Sequence, residues 1–231
     1  MATTTSRSPQ QEFERSAVFM EALEVCVHTI LRLRKVYPEE AFCRHRAFGV
    51  PVYMSRHPEL NAYIFEVLQS ARKLVEAKGV ERVSVCVLDG SDRVAENYSF
   101  ELDASAECDD RDEVDSVEDT AYLMRALLMR LQVMEDQLPP PPTDSSFTVL
   151  LRSRDDGPAV RDFLSNPDNG WLDASNDTSN DDGPFLWPVK HVLTPLVDFS
   201  LNVYTRQQRP TTNTTTTTSS SAPIAAPPPA D

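Results

Sequence analysis

Residues 80–102 read VERVSVCVLDGSDRVAENYSFEL. Val83, Val85 and Val87 alternate with Arg82, Ser84 and Cys86, and Tyr98, Phe100 and Leu102 alternate with Asn97, Ser99 and Glu101. Side chains on a strand point to opposite faces in turn, so each run presents one apolar face. Between them, Asp89-Gly90-Ser91-Asp92 carries the residue types that favour tight turns. The stretch predicts an antiparallel β-hairpin.

Upstream, the apolar period lengthens. Phe19, Ala22, Leu23, Cys26, Val27, Ile30 and Leu31 recur at three- and four-residue steps, which predicts a helix from about Ser16 to Val36. Val18 and Val25 broaden its stripe, so most of it is expected to be buried. Tyr37-Pro38 ends it. Residues 48–55 read as a short extended piece, and Pro51 places it at an edge or a bulge. A second helix opens at Pro58, with Leu60, Tyr63, Ile64, Val67, Leu68, Ala71, Leu74 and Val75 on its apolar face and Gly79 as its expected stop.

Downstream of the hairpin, residues 103–119 are acidic and lack the spacing and central glycine of a calcium loop, which predicts a solvated connection. A third helix is expected from Ser116 to Leu138, apolar nearly all round. Pro139 to Pro142 form a stiff break, and Phe147, Val149 and Leu151 alternate as a strand. Residues 152–184 are poor in regular signals and hold one apolar island, Trp171-Leu172. Extended character resumes at residues 185–189, and a final strand is expected from Leu196 to Tyr204. The order of elements predicts an α+β fold, a mostly antiparallel sheet with three helices packed on it. Expected boundaries are a loose 1–12, a folded 13–207 and a Thr/Ser/Pro-rich tail at 208–231 that cannot bury a core.

The 231 residues carry a formal charge of -14. A field of that sign opposes phosphate neutralisation, so no direct nucleic-acid partner is expected. Arg44-His45-Arg46 reads as a solvated turn. No apolar run reaches membrane-span length, and Met1 to Glu12 is polar, so a reducing intracellular compartment with free thiols is expected. With six glycines there is little material for a nucleotide-cradling loop. His28 reads as a satisfied helix histidine and His57 as local capping. Cys43 and His45 lie two apart, with no further ligands at zinc spacing, so no metal and no cofactor are expected. Trp171, Trp187 and Tyr63 are the side chains suited to anchoring an interface, although the tryptophans fit equally well as caps on the sheet.

Residues 50–64, VPVYMSRHPELNAYI, resemble the HORMA-domain accessory subunits of translesion DNA polymerase zeta, a family paralogous to the mitotic-arrest-deficient checkpoint proteins. Weaker support comes from residues 23–25, His28, 30–31 and 36–38, from 80–83 and 88–89, from 123–126 and 147–150, and from Trp171, Leu186, Pro188 and Lys190. The resemblance spans about residues 13–205. It implies a HORMA fold in which a C-terminal safety belt, here 152–205, passes over a proline-containing peptide of the polymerase's catalytic subunit. It further implies that Tyr63, Trp171 and Leu172 contact that peptide and that Arg125 serves dimerisation between HORMA domains. Leu186, Ser200 and Asn202 fall where the family docks the deoxycytidyl-transferase scaffold of translesion synthesis; animal members carry larger side chains at the last two. A remodelling ATPase as a further partner, no enzymatic activity and a nuclear location, with the cytoplasm as a second, complete the implication. The alternative within the fold is a checkpoint adaptor that clasps and inhibits activators of the anaphase-promoting complex. A cysteine-dependent enzyme is the alternative outside it. A meiotic chromosome-axis protein fits less well, because the chain is short.

Overall fold

The expected hairpin is the centre of the fold. In the computed structural model, β3 (Val80–Leu88) and β4 (Val94–Leu102) pair antiparallel with Val83 opposite Phe100 and Val85 opposite Tyr98. Asp89 closes the turn, since its Oδ1 accepts the N–H of Ser91 at 2.9 Å and of Arg93 at 3.2 Å. These bonds favour the ionised carboxylate and lower its pKa. The structure describes residues 9–103, 116–154, 157–166, 171, 185–194 and 198–206.

Around the hairpin the order is α1 (Pro9–Leu33), β1 (Phe42–Ala47), β2 (Val50–Ser55), α2 (Pro58–Glu76), β3, β4, α3 (Ser116–Val133), β5 (Ser146–Ser153), α4 (Pro158–Ser165), β6 (Phe185–Leu193) and β7 (Asp198–Thr205). The large sheet has strand order β5-β3-β4-β7-β6, all antiparallel, and β1 pairs with β2 in a separate ribbon. α1 packs Phe19 edge-on to Phe199 of β7 at 5.2 Å, and Phe199 meets Phe100 of β4 at 6.1 Å. The expected stripe of α1 is buried throughout.

Several boundaries depart from expectation for identifiable reasons. α1 begins at Pro9, ahead of Ser16, because proline at the first helical position loses no hydrogen bond. α3 gives way after Val133 to a 3-10 turn, Met134–Asp136, and Met129, on its apolar surface, is exposed. α2 stops in a Schellman arrangement: Gly79 N–H donates to Leu74 O and Lys78 N–H to Val75 O, both at 2.9 Å. The left-handed residue is Lys78, with φ 55°, and not Gly79. Residues 42–47 form a strand rather than a turn, since they pair with β2 from Phe42 opposite Ser55 to Ala47 opposite Val50. Residues 158–165 form a fourth helix inside the run expected to be irregular. Proline at its first position starts it, and eight residues are too few for a clear helical period. The acidic residues 104–115 and the tail 208–231 lie outside the described residues.

His57 caps α2 as expected, accepting the Leu60 N–H at 3.4 Å. His28 departs from expectation. It is 1 % exposed, its Nδ1 accepts the Ser55 N–H at 3.4 Å, and its Nε2 has no hydrogen-bond partner among the described residues. Burial, with a contribution from His45, lowers its pKa to about 4. The folded state therefore binds this proton more weakly than the unfolded chain does. The stability it supports is present above the unfolded value near 6.5 and is lost as pH falls towards 4. Urea unfolding is expected to show about 2 kcal/mol less stability at pH 5 than at pH 7 from this group, and His28→Gln is expected to remove most of that slope.

Candidate peptide-binding site

The β5 edge of the sheet, one of its two outer edges, and the adjoining face of α2 define the site. β5 pairs with β3 on one side, Val149 opposite Val85 and Leu151 opposite Val83, and among the described residues no strand pairs with its other side. An unpaired edge presents a row of backbone donors and acceptors that an added strand can satisfy. Tyr63 stands on α2 beside it. Its ring packs edge-on to Phe147 of β5 at 5.8 Å, and Phe147 also meets Tyr37 at 6.4 Å. Tyr63 is 43 % exposed, so part of the ring faces solvent. Burial of the remainder, together with Tyr37, raises the phenol's pKa.

Trp171 docks on the same helix. Its indole N–H donates to Ser70 Oγ at 2.8 Å, and its ring lies 6.4 Å from Phe163 of α4. Tyr63, Val67 and Ser70 are spaced four and three apart, so they share one face of α2. Trp171 meets that face about 10 Å along the axis from Tyr63, on the helical rise of about 1.5 Å per residue. The two expected anchors thus stand at opposite ends of one stripe of α2, whose Tyr63 end packs on β5. Leu172 lies outside the described residues. Two further residues of the site escape a reading of the sequence. Phe147 reads there only as a strand residue. Ser70 carries no local signal, because its role depends on Trp171 reaching it across 101 positions.

The other expected residues lie elsewhere. Leu186, Ser200 and Asn202 lie along the hairpin of β6 and β7 at the far side of the sheet, with Asn202 between the other two. Leu186 is opposite Tyr204, Asn202 lies on the diagonal from Leu186, and His191 is opposite Ser200. Leu186 is 54 % exposed. Trp187 belongs with the sheet: its indole N–H donates to Thr205 Oγ1 at 3.1 Å, which agrees with a capping role.

Arg125 is exposed on α3 and donates from Nε to Phe48 O at 3.2 Å, at the turn between β1 and β2. Phe48 and Gly49 both have positive φ, 49° and 78°, as a two-residue hairpin turn requires. A Cβ on Gly49 would stand 2.8 Å from Arg125 Nη2. Gly49→Ala is therefore expected to cost about 1 kcal/mol in thermal or urea unfolding and to displace the Arg125 side chain.

No group of three or more metal-ligating side chains is present among the described residues, and none of the helices there is long and apolar enough to cross a membrane.

Residues 16–159 match the HORMA domain. The chain belongs to the HORMA domain family. Within the family it is similar to the Mitotic spindle assembly checkpoint protein MAD2B of Homo sapiens, 31% identical over 203 residues, covering 83% of this chain and 91% of that protein. It is also similar to the DNA polymerase zeta processivity subunit of Schizosaccharomyces pombe, 30% identical over 153 residues, covering 63% and 72% of the two chains. The fold is shared with a chain in the Crystal Structure of Mitotic Checkpoint Complex, with TM-score 0.67 and 19% identity over 84% of this chain and 99% of that one. It is also shared with C. elegans HTP-2 bound to HTP-3 closure motif 1, with TM-score 0.65 and 16% identity over 83% and 85%.

Proposed function

We propose that this chain is a non-catalytic adaptor subunit that clasps a proline-containing peptide of the catalytic subunit of DNA polymerase zeta and so serves DNA damage tolerance. The observation that carries the reading is the unpaired β5 edge beside Tyr63, on an α2 face that also carries Trp171. The peptide adds as a strand to that edge, and its side chains pack on the α2 stripe between the two aromatic anchors. Residues 152–205 act as the belt, so release requires the belt to open as well as contacts to break, and dissociation is slow. The names of the curated relatives support the partner.

The same reading assigns the surface at Leu186, Ser200 and Asn202 to the deoxycytidyl-transferase scaffold, and Arg125 to pairing with a second HORMA domain. It makes the belt the substrate of a remodelling ATPase and places the protein in the nucleus, with the cytoplasm as a second compartment. The checkpoint reading is supported by the relatives named MAD2B and replaces the polymerase peptide by a segment of an activator of the anaphase-promoting complex.

Isothermal titration of the full chain with proline-containing peptides of the polymerase catalytic subunit tests the proposal. One-to-one binding is expected, and its absence refutes the assigned partner. A pull-down that recovers checkpoint activators and no polymerase subunit decides for the checkpoint reading.

A further inference from the structure

We propose that Cys43 is a reactive thiol, assisted by His45, that takes a reversible mixed disulfide from an anionic low-molecular-weight disulfide such as oxidised glutathione. Cys43 and His45 are two apart on β1 and share one face of the ribbon. Cys43 Sγ lies 3.2 Å from His45 Nε2 and 3.5 Å from Met54 O on the paired strand. A thiol with a base in hydrogen-bond reach is the arrangement that generates the attacking thiolate.

The other described cysteines lack this setting. Cys26 and Cys86 are both 0 % exposed, and burial raises the Cys26 thiol to about 12. Cys43 is half-buried and His45 is exposed.

The buried His28 is bonded to the same ribbon. It takes the N–H of Ser55, the residue next to Met54, while its Nε2 has no partner among the described residues. Burial, and to a lesser degree charge on His45, lowers its pKa. Arg44 and Arg46 lie on the opposite face of the strand from Cys43 and His45, but as immediate neighbours of His45 in sequence they make the ribbon locally cationic, which favours a reagent that carries carboxylates, in a chain whose net charge is -14. Arg32 adds a further cation near the ribbon, with its guanidinium 3.8 Å over the Tyr53 ring, although it is also paired with Glu39 at 3.0 Å.

In the exchange, the Cys43 thiol gives its proton to His45 Nε2, and Sγ attacks one sulfur of the disulfide. The new S–S bond forms as the old one breaks. The second sulfur leaves as a thiolate and takes the proton from His45. Cys43 is oxidised to the mixed disulfide and half of the reagent is reduced to a thiol, so no further oxidant is needed.

The test uses the full chain carrying Cys108→Ser, treated with oxidised glutathione and mapped by peptide mass spectrometry. The adduct is expected on Cys43 at least about tenfold faster than on Cys26 or Cys86, and dithiothreitol is expected to reverse it. His45→Ala and His45→Gln are each expected to slow Cys43 by about tenfold and to remove the imidazole inflection from its pH–rate profile. His45 is exposed, so neither variant is expected to shift the thermal midpoint. Equal rates on the three cysteines, or an unchanged rate and pH profile in both His45 variants, would overturn the proposal.

Discussion

Tyr63→Ala combined with Trp171→Ala is expected to weaken binding of the proline-containing peptide by about a thousandfold, with the thermal midpoint within a few degrees of the parent. Aromatic residues that close an interface typically cost about 2 kcal/mol or more each when truncated, which is about thirtyfold per residue. Tyr63 is 43 % exposed, so most of what its removal forfeits lies in the bound state. Trp171 hydrogen-bonds Ser70 and packs on Phe163 at the surface of α2, at the margin of the core rather than within it. Titration calorimetry gives the affinity, and circular dichroism follows the fold. Each single variant is expected to retain part of the binding. Parent-like affinity in the double variant would remove the site from the α2 stripe.

Arg34→Met is expected to cost about 3–5 kcal/mol of stability, because it leaves a buried carboxylate without its counter-charge. Arg34 is 1 % exposed at the end of α1 and donates from Nη2 to Glu96 Oε1 and, at 2.7 Å, to Pro139 O. Tyr98 donates its hydroxyl to Glu96 Oε2 at 3.0 Å. One guanidinium thus ties together α1, β4 and the proline-rich segment leading to β5. Burial raises the Glu96 carboxyl by more than Arg34 pulls it down, which measures how hostile the site is to an unpaired charge. The midpoint of thermal unfolding is expected to fall by about 6–20 °C for a chain of this size. Arg34→Met with Glu96→Gln is expected to recover part of the loss, because no orphan charge then remains. A fall under about 2 °C in the single variant would show that the pair contributes nothing.

The two predictions differ in how far the sequence discloses them. Arg34 follows Leu33 near the end of a long apolar stripe and carries no sign that it turns inward. Glu96 likewise sits on the strand that the hairpin pattern identifies, where a carboxylate reads as solvated. Their pairing at sequence separation 62 exists only in three dimensions. Tyr63 and Trp171, by contrast, are conspicuous by residue type alone. Their common helix face is not, because it depends on Ser70 and on where the chain crosses α2.

The sequence by itself determined the hairpin, the three long helices and the α+β class. Periods of two and of 3.6 residues are local, and a one-residue slip would turn an apolar face to water. Residues 42–47 and 158–165 escaped that reading because an exposed ribbon strand and a two-turn helix need little apolar patterning. Which edge of the sheet the last hairpin occupies was decided only by the tertiary structure. The alternation of Phe199, Leu201 and Val203 would suit a place beside β5 as well as one beside β4. Packing of Phe199 on Phe100 and Phe19 holds β7 against β4, and β5 is left with its outer edge unpaired among the described residues. Backbone hydrogen bonds do not discriminate between the two edges. The shapes of the side chains they bring together do.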